Sequence, residues 1–270
     1  MHVDLAGALI SRTKRVSPRT AARMAWTRLR RSGDTAARLV DELVGPGTVA
    51  LDIGANWGLF AWALERQVGP SGHVHVFEPN PEHADSLRRM SGERPNVTVH
   101  AVALSDHTGA ARLHIPVHAG RRCSYEATLR EPEFNGGDHE EVDVPVWTLD
   151  EALHAPSQPL GFIKCDVEGH EAALLRGATR TLHSLPTLLI ELEQRFQERD
   201  IGETFADLLA FGYAGYAVRP GGLAPLGEFD PDREQHVRPG EPLAGRREYV
   251  NDFLFVRPDL DVARLRESTA

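Results

Sequence analysis

Short apolar runs alternate with amphipathic stretches through most of the 270-residue chain. An apolar run of four to eight residues that ends in a turn is typical of a buried parallel strand, and apolar residues spaced three and four apart are typical of a helix. This pattern predicts strands over 49–53, 73–77, 97–103, 160–166, 187–193, 213–219 and 249–256. It predicts helices over 35–44, 59–67, 81–90, 168–182 and 204–211, a short helix from Thr148, and a strand pair over 108–116 and 142–147. This alternation predicts an α/β fold with a mostly parallel, doubly wound sheet and helices on both faces.

Four segments flank or interrupt the alternation. Residues 1–47 form a predicted N-terminal helical extension, whose arginines we interpret as the solvated face of amphipathic helices. The predicted domain spans 48–257, and residues 258–270 form a C-terminal tail. Within the domain, segments 118–141 and 220–247 are polar or rich in Pro and Gly. We predict that these two insertions act as lids or shape an acceptor pocket.

A glycine-containing turn follows the first predicted strand. The strand carries Asp52, and the turn reads Gly54-Ala-Asn56-Trp-Gly58 before a predicted helix. At such a helix N-terminus, backbone N–H groups are expected to point at a ligand. The second predicted strand ends at Glu78, whose carboxylate is placed to accept the hydroxyls of a ribose. The two strand ends together predict a cofactor that contains adenosine.

The charges near this turn distinguish between cofactors. A dinucleotide site uses Gly-x-Gly-x-x-Gly so that the backbone can approach an anionic pyrophosphate. Here Asn56 takes the place of the second glycine, none follows three residues later, and the Asp52 carboxylate would repel a pyrophosphate. S-adenosylmethionine has no phosphate and carries two cationic groups, so it fits better. A nicotinamide-dependent oxidoreductase is the alternative.

A second dense segment follows the strand predicted over 160–166. Lys164 and Asp166 share one face of that strand, at the edge where open α/β sheets bind ligands. Glu168 and His170 follow in the first turn of the next predicted helix. The simpler alternative for Glu168 is a carboxylate that only complements the helix dipole. The clustering of all four residues favours a catalytic site.

Composition and charge exclude several classes of function. A net charge of −9 disfavours a nucleic-acid partner, because neutralisation of phosphates dominates that affinity. No apolar run approaches the roughly 20 residues that span a bilayer, so no membrane partner is predicted. The two cysteines, Cys123 and Cys165, predict neither a disulfide framework nor a zinc site. Hydrophobic residues make up 41% of the chain, and we expect a soluble cytoplasmic protein. The sequence leaves homodimer formation open.

The chain resembles the FkbM family of S-adenosylmethionine-dependent methyltransferases. The resemblance is carried by segments that occur in the family's order: Asp52–Gly58, Phe77–Pro79, Val102–Asp106, Thr148–Asp150, Lys164–Glu171 and Leu189–Glu191. It implies the class I Rossmann-like methyltransferase fold, with seven strands of which the last is antiparallel. It also implies O-methylation of a hydroxyl on a sugar or secondary metabolite, as in natural-product tailoring, with a small hydroxylated molecule as the acceptor. N-methylation of a small molecule or peptide is the alternative.

The resemblance also implies roles for the residues at the strand ends. The methionine end of the cofactor would be held after the first strand, by Asp52, Gly54, Ala55 and Asn56. The ribose would lie against Glu78 and Pro79. The adenine would be flanked after the third strand by Ala103, Leu104 and Ser105, with Asp106 as a partner of its amino group. Asp166 would lie beside the methionine part and the reacting centre.

The predicted reaction is an in-line attack of an acceptor oxygen on the sulfonium methyl group. An alcohol has a pKa of roughly 15.7, and an ordinary histidine has a pKa of about 6.5. Forming a free alkoxide with a histidine base would therefore cost ~12 kcal/mol. We therefore predict that a base removes the proton as the bond forms. His170 is the first candidate, Asp166 or Glu168 the second, and Lys164 is expected to neutralise the neighbouring carboxylates. No metal is expected, and the alternative is a magnesium ion held by Asp166, Glu168 and Glu191.

Overall fold

The computed structural model describes residues 13, 17–92, 94–118, 120–131, 138–153, 158–197, 199–236, 249–263 and 265. Its helices are α1 Pro18–Ser32, α2 Thr35–Leu43, α3 Leu59–Val68, α4 Pro81–Ser91, α5 Leu149–Ala152, α6 Glu171–Arg176, α7 Thr179–Leu182, α8 Ile201–Ala210 and α9 Pro231–Glu234. Its strands are β1 Val49–Ile53, β2 His73–Phe77, β3 Val97–His100, β4 Ala103–Leu104, β5 Gly109–His118, β6 Arg121–Arg122, β7 Asp138–Trp147, β8 Leu160–Cys165, β9 Thr187–Glu191, β10 Ala214–Arg219, β11 Gly222–Pro225 and β12 Asp252–Val256.

The main sheet has the strand order β11-β10-β12-β9-β8-β1-β2-β3. Strands β3, β2, β1, β8 and β9 are parallel, and β12 lies antiparallel between β9 and β10. The chain order reverses direction between β1 and β8, which is the point where doubly wound sheets bind ligands. The predicted α/β fold with a class I, Rossmann-like sheet is therefore confirmed.

Two apolar cores cover the two faces of this sheet. The buried strand β1 contributes Ala50 to one core and Leu51 to the other, as the alternation of side chains along a strand requires. The first core contains residues of α1 to α4, including Trp26 and Leu64. The second contains residues of α5 to α8, including Phe205. Helices thus lie on both faces, as predicted.

The sheet has eight strands, and the predicted number of seven is wrong. The additional edge strand is β11, which lies inside the predicted insertion 220–247 and pairs with β10. Pro220 and Gly221 make the two-residue turn between the paired residues Arg219 and Gly222. Gly221 has a φ of +88°, which a type II turn requires at this position. The Pro220-Gly221 pair is visible in the sequence, but such a pair is equally typical of a loop that does not join two paired strands.

A second, four-stranded sheet has the order β4-β7-β5-β6. The predicted strand pair is confirmed as the β5–β7 hairpin, which has its own small core with Leu113, Ile115 and Val146. The predicted third strand over 97–103 is wrong at its end. Strand β3 stops at His100, and Ala103 pairs instead with Val146 of the second sheet.

The predicted helix over 168–182 is divided into α6 and α7. It starts late because Glu168 and Gly169 both have left-handed backbone conformations, with φ of 53° and 93°. It breaks at Gly177, where a Cβ atom would lie 2.0 Å from the carbonyl oxygen of Ser105. The break therefore allows the backbone between α6 and α7 to approach the backbone that follows β4.

The N-terminal helices pack on the sheet. Ser17 caps α1 with its side chain, and Arg19 of this helix forms an ion pair of 2.6 Å with the buried Glu65 of α3. Trp26 is buried in the first core, and near the C-terminus Val262 and Leu265 join the same core. The boundaries predicted at 47 and 258 stay predictions, and residues 1–12 lie outside the described part. Among the helices described, none combines the length and the apolar character that a bilayer crossing requires.

Candidate active site

A cavity lies at the carboxyl edge of the sheet, beside the reversal between β1 and β8. It holds about 630 Å³ of empty space, counting the solvent at its mouth. Its wall comes from the turns after β1, β2 and β8, from the second sheet, and from the segment 124–129. The described lining residues are Ile53, Gly54, Asn56, Phe77, Glu78, Pro79, Val102, Ala103, Leu104, Leu113, Ser124, Ala127, Thr128, Leu129, Asp166, Val167, Glu168 and His170.

The turn after β1 is shaped by three left-handed residues. Gly54, Asn56 and Gly58 have φ of 76°, 52° and 91°. Glycine adopts this conformation without strain, and asparagine is among the residues that tolerate it. The spacing Gly-x-Asn-x-Gly is therefore a backbone requirement of the turn.

The N–H groups of this turn are used within the protein. Gly54 and Ala55 donate to the carbonyl oxygen of Phe77, at 2.9 and 3.2 Å, and Gly58 donates to Ala55 at 2.8 Å. The Asn56 N–H donates to Glu78 at 2.6 Å. The prediction that these groups point at a ligand is wrong for these four residues, because the turn uses them to fix its own shape. A pyrophosphate would find none of these four donors free.

Gly54 also lies against the turn after β8. A Cβ atom built on Gly54 would lie 1.7 Å from the carbonyl oxygen of Asp166. The Asp166 N–H donates to the carbonyl oxygen of Ile53 at 3.0 Å, so the two turns are joined by their backbones. Only glycine permits this approach.

Glu78 is buried at the end of β2, with 5% of its surface exposed. Its two carboxylate oxygens accept the N–H groups of Asn56 and Asn80, at 2.6 and 2.8 Å. Burial raises the pKa of Glu78 to about 7, against the lowering effect of these hydrogen bonds. The carboxylate therefore couples the turn after β1 to the N-terminus of α4 and presents its charge to the cavity.

Asp52 lies near the end of β1, just before the turn, and is not among the described residues of the cavity wall. It is 2% exposed, accepts the Ala61 N–H of α3, and its Oδ2 atom has no hydrogen-bond partner. Burial raises the pKa of Asp52 to about 7, and the ammonium of Lys164 opposes this shift. Asp52 is therefore tied to α3, and its predicted support of the turn and of the cofactor's ammonium group stays a prediction.

Lys164 is buried behind the cavity, with 2% of its surface exposed. Its Nζ atom lies 3.4 Å from Asp252 and 3.9 Å from Asp166. Burial opposes its charge, but the carboxylates of Asp252, Asp166 and Glu191 outweigh that effect and raise the pKa of Lys164. Lys164 is therefore a permanent cation that partly neutralises the carboxylates, as predicted from its position in the strand.

Asp166 and Glu191 form a coupled pair of carboxyl groups at the ends of β8 and β9. Burial raises the pKa of both groups, and a hydrogen bond links the two side chains. Such a bond requires that one of the two groups carries a proton, so the raised pKa values belong to the pair and not to either residue alone. Asn251 donates to the Oε1 atom of Glu191 and fixes its orientation.

The turn after β8 holds Glu168 at the cavity in a strained conformation. Its φ of 53° is uncommon for a residue other than glycine, asparagine or aspartate. The Thr128 hydroxyl donates to the Glu168 carbonyl oxygen at 2.7 Å. Burial and the carboxylates of Asp166, Glu193 and Glu171 raise the pKa of Glu168 to about 8.

Glu171 organises the same turn without reaching the cavity. It is 2% exposed, and its Oε1 atom accepts the N–H groups of Val167 and Gly169, at 3.2 and 3.1 Å. Its Oε2 atom accepts the side-chain amide of Gln197 at 3.0 Å. Glu171 therefore positions the backbone on both sides of Glu168.

His170 lines the cavity on the side of the second sheet. Its Nε2 atom lies 2.9 Å from the Ser105 hydroxyl, which donates to Asp106 at 3.3 Å. Hydrogen bonds from His107 and Arg176 hold the pKa of Asp106 below its usual range. Asp106 is therefore engaged by its own neighbours and lies outside the described wall.

The structure gathers most of the predicted site residues. Those that line the cavity are Gly54, Asn56, Glu78, Pro79, Ala103, Leu104, Asp166, Glu168 and His170. Those that lie outside the described wall are Asp52, Ala55, Ser105, Asp106 and Lys164. Sequence reasoning missed Leu113, Ser124, Ala127, Thr128 and Leu129 as wall residues, although segment 118–141 was predicted as a lid. Nothing in the local sequence distinguishes them, since they reach the cavity through the second sheet.

The charge of the cavity selects its ligand. The described wall carries three carboxyl groups, on Glu78, Asp166 and Glu168, and no lysine or arginine. Apolar side chains such as Phe77 and Leu104 form the rest. This combination fits a cationic ligand with a flat apolar part, such as S-adenosylmethionine, and does not fit a pyrophosphate.

The predicted magnesium alternative is not supported by side-chain placement. Among the described residues, one group of three or more His, Cys, Asp or Glu has all its ligand atoms within 4.8 Å of one another, and it consists of His114, His139 and Glu141. Asp166, Glu168 and Glu191 do not form such a group.

Comparison with known proteins gives a family match. The model of the methyltransferase FkbM domain matches residues 52–218, which is more than half of the chain. The hexuronic acid methyltransferase AglP of Haloferax volcanii is 25% identical over 174 residues, which cover 63% of this chain and 66% of that protein, just under two thirds.

Similar solved structures were also found. They include fibrillarin of Aeropyrum pernix with bound S-adenosyl-L-methionine, at 14% identity and a TM-score of 0.41, covering 79% of this chain and 68% of that one. An S-adenosylmethionine-dependent O-methyltransferase of Thermotoga maritima has 13% identity and a TM-score of 0.41, covering 83% and 64%. Similarity this weak supports neither fold nor function, and the strand order alone carries the fold.

Proposed function

Because this chain belongs to the FkbM methyltransferase family, we propose that it transfers the methyl group of S-adenosylmethionine to a hydroxyl oxygen of a sugar. The oxidoreductase alternative is set aside by the family match over residues 52–218. The observation that carries the choice of cofactor is the acidic lining of the cavity, in which the carboxyl groups of Glu78, Asp166 and Glu168 lie without a lysine or arginine among the described wall residues.

The residues present suit this cofactor. Glu78, at the end of β2, would accept the ribose hydroxyls, and Phe77, Leu104 and Val102 would enclose the adenine in an apolar slot. Gly54 lacks a side chain, which lets the turn after β8 pack against it, and the two turns together would form the surface that holds the methionine part. When bound, S-adenosylmethionine supplies an electrophilic methyl group on a positively charged sulfur.

The acceptor group is proposed to be a neutral hydroxyl. The relative in Haloferax is named for hexuronic acid, which offers both hydroxyls and a carboxylate. At this sheet edge a carboxylate acceptor would find no described lysine or arginine in the cavity wall to pair with, and whichever of the acids Asp166 and Glu168 is ionised would repel it. A sugar hydroxyl avoids this repulsion and can donate to the same groups.

The base for the acceptor proton is proposed to be Glu168. Its pKa of about 8 is closer to that of an alcohol than the pKa of an ordinary carboxyl group, and its turn is fixed by Thr128 and Glu171. Full deprotonation of an alcohol by this group would still cost about 10 kcal/mol, so the proton moves as the bond forms. His170 is tied to Ser105 near the adenine side, which favours a positioning role for it.

The proposal is tested with a methyl-transfer screen that uses radiolabelled S-adenosylmethionine. The acceptors are neutral glycosides, glycosides of hexuronic acids, and amines. The expected product carries a methyl ether, which survives mild alkali. Label that alkali releases as methanol would identify a carboxylate acceptor and contradict the hydroxyl proposal. Label found only on the amines would replace it with N-methylation.

A further inference from the structure

Three metal-ligating side chains share one face of the β5–β7 hairpin. His114 of β5 lies directly opposite Glu141 of β7 in the strand register. His139 precedes Glu141 by two residues on the same strand, and residues two apart in a strand lie on the same face. The three side chains therefore converge because of strand pairing, and none of them lies in the described wall of the methyl-transfer cavity.

The distances within this cluster match a coordination sphere. The Oε1 atom of Glu141 lies 3.8 Å from Nδ1 of His114 and 3.4 Å from Nε2 of His139. The ligand atoms of all three lie within 4.8 Å of one another. Ligands bound at 2.0–2.1 Å around a tetrahedral metal are separated by roughly 3.3 Å, so only small side-chain movements would be needed.

His114 gives an independent sign of a missing ligand. It is 7% exposed, and its buried Nδ1 atom has no hydrogen-bond partner. A buried polar nitrogen that lacks a partner in a native protein requires an explanation, and an ion is one of the usual ones. The backbone of His114 is held rigidly, since it exchanges two hydrogen bonds with Thr128, at 2.8 and 3.0 Å.

Arg112 completes the arrangement from the side of the carboxylate. Its guanidinium donates to the Oε2 atom of Glu141 at 3.1 Å. This bond orients the carboxylate so that Oε1 is the atom that faces the two imidazoles. Groups that orient a ligand in this way are a regular part of metal sites.

We propose that His114, His139 and Glu141 bind a zinc ion that is separate from the methyl-transfer cavity. Two imidazoles and one carboxylate are a frequent zinc ligand set, and the fourth position would be taken by water. The ion would crosslink β5 to β7. Because Leu113 of the same hairpin and Thr128 beside it line the cavity, the crosslink would stiffen the cavity wall without taking part in the chemistry.

The test is a zinc titration of tag-free protein that has been stripped with a chelator and dialysed. Competition with a chromophoric chelator gives the stoichiometry and Kd, and cobalt(II) gives an independent absorption spectrum for tetrahedral coordination. The wild type is expected to bind one ion per chain and to melt at a higher temperature in its presence. The His114→Ala and His139→Ala variants are expected to bind at least roughly 100-fold more weakly.

His183→Ala is the matched control, because His183 is exposed directly after α7 and is distant in sequence from the cluster. It is expected to bind zinc like the wild type. Should His114→Ala fail to fold, Glu141→Gln gives the same comparison, since that side chain is 41% exposed and its replacement leaves the hairpin core intact. Wild-type protein that binds no zinc at stoichiometric concentration, or a His114/His139 double variant that binds it equally well, would overturn the proposal.

Discussion

The turn after β1 and the turn after β8 lie against each other at the edge of the cavity, but they are held in different ways. The first is fixed through its backbone, by left-handed residues at 54, 56 and 58 whose neighbouring N–H groups donate to Phe77 and Glu78 at the end of β2. The second is fixed by the side chains of Thr128 and Glu171, and Gln197 in turn holds Glu171. Under the proposed function, the first turn would be a rigid cradle for the cofactor, and the second would place Glu168, in its strained conformation, beside the acceptor.

The largest expected effect is that of Gly54→Ala in the first turn. The added Cβ atom would lie 1.7 Å from the Asp166 carbonyl oxygen, so one of the two turns must move. We expect the free energy of unfolding to fall by more than about 4 kcal/mol, measured by urea denaturation. Gly33→Ala is the control, since Gly33 has a similar φ of +77° with no atom within 4 Å, and should cost only about 1–2 kcal/mol. Equal losses in the two variants would show that the close approach is unimportant.

The next effect concerns the second turn and its acid. Glu168→Gln is expected to lower kcat by roughly 10²–10⁴-fold while the Kd for S-adenosylmethionine stays within a few-fold. Since the pKa of Glu168 is raised to about 8, wild-type kcat/KM should fall as the pH drops below 8, and the variant should lose that limb. A larger loss of kcat in His170→Ala than in Glu168→Gln would move the base to His170.

A smaller effect is expected when a support of the second turn is removed. Thr128→Val keeps the shape of the side chain but removes the hydroxyl that donates to the Glu168 carbonyl oxygen. We expect a loss of about 1 kcal/mol in stability and a lower kcat, without weaker cofactor binding. Stopped-flow or equilibrium binding of S-adenosylmethionine, measured beside turnover, makes the distinction. If cofactor binding fell instead, the assignment of the two turns to different tasks would be wrong.

The last effect concerns a different quantity, the pH dependence of stability. Burial raises the pKa of Asp52 and Glu78 to about 7, so the native state binds more protons than the unfolded state above about pH 4.5. Their contribution to the free energy of unfolding is therefore present at low pH and is lost as the pH rises through 7. Glu78→Gln should flatten this decline between pH 5 and 8 in urea titrations. An unchanged slope would mean that Glu78 is not a buried titrating group.

Histidines on β2 and β3 act in the opposite direction. Burial, with the neighbouring His73 and His100, lowers the pKa of His75 to about 4. The contribution of His75 to stability is therefore complete above pH 6.5 and is lost as the pH falls toward 4. The pH dependence attributed to Glu78 must therefore be obtained as the difference in the free energy of unfolding between the variant and the wild type at each pH.

The two turns also differ in how far they could be predicted. The first could be inferred almost residue by residue, because its left-handed positions and the acid at the end of β2 are local features. Its use of N–H groups was predicted wrongly, since the acceptor Phe77 lies on another strand. The second turn was recognised as a cluster of acids, but Thr128, which bonds the Glu168 carbonyl oxygen, lies 40 positions upstream, and Gln197, which holds Glu171, lies 26 positions downstream of that residue.

The same distinction holds for the fold. The strands and the helices that cover both faces follow from the apolar runs and the amphipathic stretches, which report burial directly. The break at Gly177 depends on a close contact with Ser105, and the transfer of Ala103 to the second sheet depends on pairing with Val146. Such long-range contacts leave no periodic signal in a single sequence.

The central claim is that the cavity binds a cationic, phosphate-free methyl donor between the two turns. Isothermal titration calorimetry with S-adenosylmethionine and with NAD tests it most directly, with Glu78→Gln as the matched variant. We expect the wild type to bind one S-adenosylmethionine per chain and to give no heat with NAD. We expect the variant to bind S-adenosylmethionine about tenfold more weakly, because a charged hydrogen bond to the ribose is lost. Saturable binding of NAD to the wild type, with no response to S-adenosylmethionine, would contradict it.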